Sequence, residues 1–212
     1  MGAPLDAPTR ALVRLALELP QATERRLGEG LRAAAAARVP ARWIEELLLS
    51  SVLYVGYPRA LVAMAAWRRE AQGVRAAPGA TGEHYGRWRR WKTRGEKTCR
   101  IVYGKHYGPL REYVRGLHPA LEAWMMMEGY GRTLSRPGLE LWRRELCAVG
   151  MILPQRAPRQ LVAHLRGALN GGATPAQVDA VLDLAGSESV PAGARAAARE
   201  LWRELRATGT RG

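Results

Sequence analysis

The sequence predicts an all-α protein built from two copies of one helical unit, one intact and one degenerate. Ala, Leu, Arg and Glu fill the segments between Pro and Gly breaks, and no run of alternating β-branched residues interrupts them. One stretch also occurs twice. TRALVRLALELPQATERRLGEGLRAA (9–34) lies without a gap on RRELCAVGMILPQRAPRQLVAHLRGA (143–168). Arg10 falls on Arg144, Leu12 on Leu146, Leu27 on Leu161, and Leu31-Arg32 on Leu165-Arg166. Leu19-Pro20-Gln21 falls on Leu153-Pro154-Gln155, so both copies share an apolar frame and a proline break. Where the second copy has Glu145 and His164, the first has Ala11 and Gly30.

Taken in order, the pattern places helices near residues 8–19, 23–38, 41–55, 58–72, 95–116, 118–130, 139–153, 157–170, 175–185 and 191–207. Gly56-Tyr57-Pro58-Arg59 divides the most apolar stretch, Leu47 to Trp67, into two buried helices and argues against a membrane span. Gly73 to Arg94 is rich in Gly, Ala and Arg and reads as an irregular linker ending in Arg87-Trp88-Arg89-Arg90-Trp91-Lys92. Residues 95–142 are an extra helical insert. Ser135-Arg136-Pro137-Gly138 opens the helix that carries Glu145. Thr174-Pro175-Ala176-Gln177 is a capped helix start, and Gly186 is its stop. The resulting organisation is a degenerate helical repeat over 1–72, the linker over 73–94, and lead-in helices with the intact repeat over 95–212.

The chain has 212 residues and a formal net charge of +14. Its 33 basic residues include only three lysines, Lys92, Lys97 and Lys105, so nearly all are arginines. They are scattered over helix faces, which favours solvated surfaces over a nucleic-acid-binding patch. The Arg/Trp run at 87–92 is the one place where bases would stack and be clamped, yet no binding motif surrounds it; nucleic acid is the less favoured partner. Two cysteines without a CxxC fit a reducing cytoplasm, and MGAPLDAPTR lacks the form of a secretory signal. His84 and His106 lie in Gly-rich surroundings without ligand spacing, so no metal site is expected.

Glu145 and His164 flank the elbow Leu153-Pro154-Gln155-Arg156-Ala157-Pro158 at nearly equal distances. Folding there into an antiparallel helix pair sets both at one height on facing helices. A carboxylate beside an imidazole orients the ring and makes an adjustable acid/base pair. Gln160 lies one turn before His164 on the same face and is a candidate to hydrogen-bond substrate. Tyr130, with Trp124 and Met125 to Met127, suits an apolar wall of the same site. Arg136 is a candidate partner for a substrate carboxylate. Arg166 has the counterpart Arg32 in the degenerate copy and reads as structural.

The run RPGLELWRRELCAVGMILPQRAPRQLVAHLRGALNGGATPAQVDAVL, Arg136 to Leu182, resembles the core of the carboxymuconolactone decarboxylase family, the all-helical superfamily that includes alkyl hydroperoxidase D. The likeness rests on RPGL before the helix, REL at its start and H-L-R-x-A-L-N-x-G-x-T-P after the turn. LLLSSVLYVGYPRALVAMAAWRRE, Leu47 to Glu70, resembles the helices that follow this core in the family, here placed before it. The peroxidase branch has a CxxC between its Glu and His. Counted from Glu145, those positions hold Ala157 and Gln160, so the outer pair is present and both redox sulfurs are absent.

The resemblance therefore implies a duplicated alkyl hydroperoxidase D-like unit and a cofactor-independent carboxy-lyase, or related acid/base enzyme, acting on a small carboxylated lactone or similar compound. His164 is the expected proton-transfer group and Glu145 its orienting partner, with no metal or organic cofactor. A homo-oligomer with pockets near subunit interfaces is implied as well. The alternatives are a non-catalytic, small-molecule-binding relative whose degenerate copy serves assembly, and a thiol peroxidase relative that the missing cysteines disfavour.

Overall fold

Two helical hairpins stand back to back and everything else is arranged around them. A computed structural model of the protein describes residues 4–71, 85–187 and 190–209. The described residues form helices and the turns between them, without a strand. The first hairpin pairs α1 (Ala7–Glu18) with α2 (Glu24–Ala36). Asp6 caps α1, its Oδ1 accepting from the Thr9 amide at 2.7 Å, and Thr23 caps α2. The second hairpin pairs α7 (Leu141–Ile152) with α8 (Pro158–Asn170). The apolar frame shared by the two stretches is buried in both: Leu12 and Leu146, Leu27 and Leu161, Leu31 and Leu165 all lie in one core. α1 packs directly on α7.

α3 (Ala41–Glu70) carries the first half onward and lies against both α2 and α7. Its composition and length would suit a membrane span. Gly56 breaks it, at φ 76° and ψ 167°, ahead of Pro58, where two helices had been expected. Arg59, just after the break, donates to the carbonyls of Leu19 and Ala22 and braces the elbow of the first hairpin.

Helix α4 (Trp88–Tyr103) starts inside the stretch expected to be an irregular linker. The reason is burial at helical spacing: Trp91, Gly95, Cys99 and Val102 all turn inward. Trp91 docks in the body while Trp88 stays exposed. Residues 73–84 of that linker, His84 among them, lie outside the described residues, and Tyr85–Arg87 form a single 3-10 turn ahead of α4. Gly104, at φ 51°, then ends α4, so the single helix expected over 95–116 is two, with α5 running Tyr107–Leu117.

The helix expected over 118–130 is a short α6 (Pro119–Trp124) that widens into π-type turns over Met125–Leu134. This wide segment meets α4 backbone to backbone. A Cβ on Gly95 would sit 2.1 Å from the Met126 carbonyl oxygen, and one on Gly131 equally close to that of Trp91. α9 (Pro175–Ser187) opens with the expected box: Gln177 Oε1 accepts from the Thr174 amide at 2.8 Å. α10 (Ala192–Gly209) is pinned to it by Trp202, whose indole donates to Asp179 at 2.7 Å.

A buried ionic knot ties the two halves. The Arg144 guanidinium is 2.8 Å from Glu46 on α3 and also donates to the carbonyls of Leu139 and Arg136. Arg136 grips the other side of Glu46 with Nε and Nη2, each at 3.1 Å. Burial pushes the Arg144 pKa down, and the Glu46 carboxylate opposes that shift.

Candidate active site

The elbow between α7 and α8 sets the geometry. Leu153–Gln155 makes one tight turn, Arg156 takes a left-handed conformation at φ 56°, and Pro158 starts α8. Gln155 locks the elbow by donating to the Met151 carbonyl and, across to α3, to the Tyr54 carbonyl, both at 2.8 Å.

The two hairpin arms then bring Glu145 Oε2 to 2.7 Å from His164 Nδ1. Glu145 is fully buried, and His164 is 8% exposed. A carboxylate at Nδ1 selects the tautomer that donates from Nδ1, which leaves Nε2 for exchange with another molecule. Space for the carboxylate comes from Gly167. A Cβ there would lie 2.7 Å from Glu145 Oε2 and 2.8 Å from Val102 Cγ1. The corresponding position of the first hairpin is Ala33.

Three tyrosines surround the pair. The Tyr54 ring, from α3, stands edge-on to His164 with centroids 5.3 Å apart. Tyr103 and Tyr130 meet edge to face with ring centroids 6.0 Å apart. Burial, and then the nearby Glu145 charge among other groups, pushes the phenols of Tyr54 and Tyr130 well up. Burial pushes Tyr103 up to about 12. Two polar atoms beside the pair are sealed from solvent without a hydrogen-bond partner among the described residues: Glu145 Oε1 and the Tyr54 hydroxyl. Buried groups of this kind are costly unless something else satisfies them.

Of the residues singled out from the sequence, the structure gathers Glu145, His164 and Tyr130. It does not gather Arg136, whose guanidinium is held by Glu46. Gln160 is exposed, one turn ahead of His164. Tyr54 and Tyr103 were not anticipated. Tyr54 comes from the other half of the chain, and no local spacing relates it to the elbow.

Both cysteines are buried free thiols, raised by burial to about 12. Such thiols are poor nucleophiles at neutral pH. Among the described residues no three His, Cys, Asp or Glu side chains gather as they would around a metal ion. In the first hairpin, Ala11 and Gly30 line an open cleft of about 660 Å³ at the positions that match Glu145 and His164.

The family model described as the carboxymuconolactone decarboxylase family matches residues 119–204, a span that includes Glu145, His164 and Tyr130. The chain is also similar to the nitrosuccinic acid decarboxylase of Metarhizium robertsii, 35% identical over 101 residues, covering 46% of this chain and 69% of that protein. With the all-helical fold and the Glu145–His164 elbow in place, these matches establish that the chain belongs to the carboxymuconolactone decarboxylase family.

Proposed function

We propose that the protein is a cofactor-independent decarboxylase of a small carboxylic acid, a carboxylated lactone or a compound with a comparable electron-withdrawing group beside the carboxyl-bearing carbon. The observation that carries this reading is the buried Glu145–His164 contact with two orphan polar atoms around it. In the reaction, the bond between the carboxylate and its carbon breaks and carbon dioxide leaves. The electron pair moves into the neighbouring acceptor, and a proton then reaches the carbon. His164 takes a proton from solvent at Nε2 and passes it to that carbon, while Glu145 holds Nδ1. The Tyr54 hydroxyl donates to the substrate, and the apolar walls keep water from the charge that develops. Tyr130 packs near Glu145, Gln160 meets the substrate on its approach, and Arg136, held by Glu46, takes no part.

The degenerate first copy is part of the same reading. Gly150 and its sequence counterpart Ala16 meet at the α1–α7 contact, where a Cβ on Gly150 would lie 3.4 Å from that of Ala16. Like positions meeting like is what a pseudo-twofold pair of repeats produces. A homo-oligomer is proposed as well, because Tyr57 and Leu61 on α3 and Leu117 and Trp124 on α5 and α6 are exposed. Sedimentation of the full chain tests that part.

The reaction is tested by carbon dioxide release from a panel of small carboxylated lactones and nitro-carboxylic acids, nitrosuccinic acid among them. Turnover is expected on at least one, with His164→Ala lowering kcat/KM by about 10²–10⁴ while circular dichroism is unchanged. The second reading, a ligand-binding relative without turnover, draws on the burial of Glu145 and His164. Saturable binding of a panel member without carbon dioxide release would select it.

A further inference from the structure

Next to Tyr103 the fold opens a basic cleft. It has a volume of about 550 Å³ and lies between the corner that joins α4 to α5 and the last turns of α8 and α10. Lys105, His106 and Arg166 line it together with Tyr103 and Asn170, and none of the described residues that line it is acidic. Gly104 makes the corner possible at φ 51°. Asn170 is held in place by donating to the Val102 carbonyl at 2.8 Å, which leaves its second amide hydrogen available.

Several other arginines that border the interior meet carboxylates: Arg144 and Arg136 meet Glu46, Arg143 meets Asp6 and Glu140, Arg111 meets Glu122, while Arg59 meets backbone carbonyls. The sequence counterpart of Arg166 also meets a carboxylate, since Arg32 is 2.7 Å from Glu70. Arg166 faces two further basic side chains instead. Burial, and after it the charges of Arg166 and Lys105, push the His106 pKa down.

We propose that this cleft is a binding site for a small oxyanion-bearing molecule, with Arg166 and Lys105 as charge partners and His106 and Asn170 as hydrogen-bond donors. An oxyanion at this point supplies what Glu70 supplies to Arg32, and it relieves the repulsion among the three basic groups. The site is separate from the Glu145–His164 pair and does not depend on what that pair does.

Phosphate and carboxylate share this chemistry, and titration separates them. The His106 ring resonances, assigned by comparison with His106→Gln, are followed by NMR as inorganic phosphate or succinate is added at constant ionic strength. The charged and titratable groups that line the cleft with His106 are Lys105, Arg166 and Tyr103. A saturable shift with either anion, absent with chloride, is expected. Arg166→Gln should weaken it about fivefold or more, and Lys105→Gln should weaken it in the same sense. Arg159→Gln, on an exposed face of α8, should leave it unchanged. Tighter phosphate than succinate assigns a phosphorylated ligand, and the reverse assigns a carboxylate. A shift that never saturates, that chloride reproduces, or that survives both Arg166→Gln and Lys105→Gln in folded protein overturns the proposal.

Discussion

Oε2 of Glu145 lies 2.7 Å from Nδ1 of His164, while Oε1 of the same carboxylate is buried without a hydrogen-bond partner among the described residues. One oxygen therefore holds the imidazole, and the other is left to a water or a substrate. Glu145→Gln keeps the shape but replaces the anion with a group that has a single acceptor oxygen. If Glu145 positions the ring, kcat should fall by about tenfold to a hundredfold with KM little changed. A Glu145→Gln enzyme with full kcat would remove Glu145 from the mechanism.

Tyr54→Phe deletes a hydroxyl that bonds to no described residue. The change should cost the fold little, within about 0.5 kcal/mol in urea denaturation, because no hydrogen bond is lost. Turnover should fall by about tenfold or more if that hydroxyl meets the substrate. Unchanged turnover, at unchanged stability, would return Tyr54 to a packing role.

Glu46→Ala removes the shared partner of Arg136 and Arg144. Arg144 would remain inside with its charge uncompensated. Such losses cost about 3–5 kcal/mol, far more than breaking an exposed pair. Chemical denaturation gives the number directly. As the contrast, Arg203→Ala, which unpairs an exposed i,i+3 contact with Glu200, should lie within about 1 kcal/mol of wild type.

The thiols supply a prediction in pH. Free in an unfolded chain, they titrate near their ordinary 9.0, whereas burial raises both to about 12 in the fold. Between those values the folded protein binds more protons than the unfolded one. Stability is then full below about pH 9 and declines as pH rises toward 12. The same burial should protect Cys99 and Cys147 from iodoacetamide at about pH 8 until denaturant is added. Mass spectrometry of native and denatured samples reads both.

The elbow was legible in the sequence because proline placement and equal arm lengths are local properties. Leu153 to Pro158 announces a turn, and helical rise sets Glu145 and His164 at one height; the helix rotation that turns them toward each other was not legible. The capping box at Thr174 and Gln177 was legible on the same grounds. Helix α4 was not, because the basic, glycine-rich run before it hides a single buried face defined by Trp91, Gly95 and Cys99. Neither was the π-type segment, whose width follows from Gly95 and Gly131 meeting across two elements. Arg136 looked available for substrate because its partner, Glu46, is ninety residues away. Tyr54 escaped for the same reason: what places it is the packing of α3 on α7.

The knot at Glu46 has a bearing on how the chain can be divided. The segment that the family model matches, 119–204, holds Arg136, Arg144, Glu145 and His164, but neither Glu46 nor Tyr54. Expressed alone, it would strand two cations at a raw surface and leave the imidazole without its aromatic neighbour. The amino-terminal half has Ala11 and Gly30 where the carboxy-terminal half has Glu145 and His164, yet its carboxylate and its phenol are built into that half. Severing the two would undo both the knot and the aromatic contact.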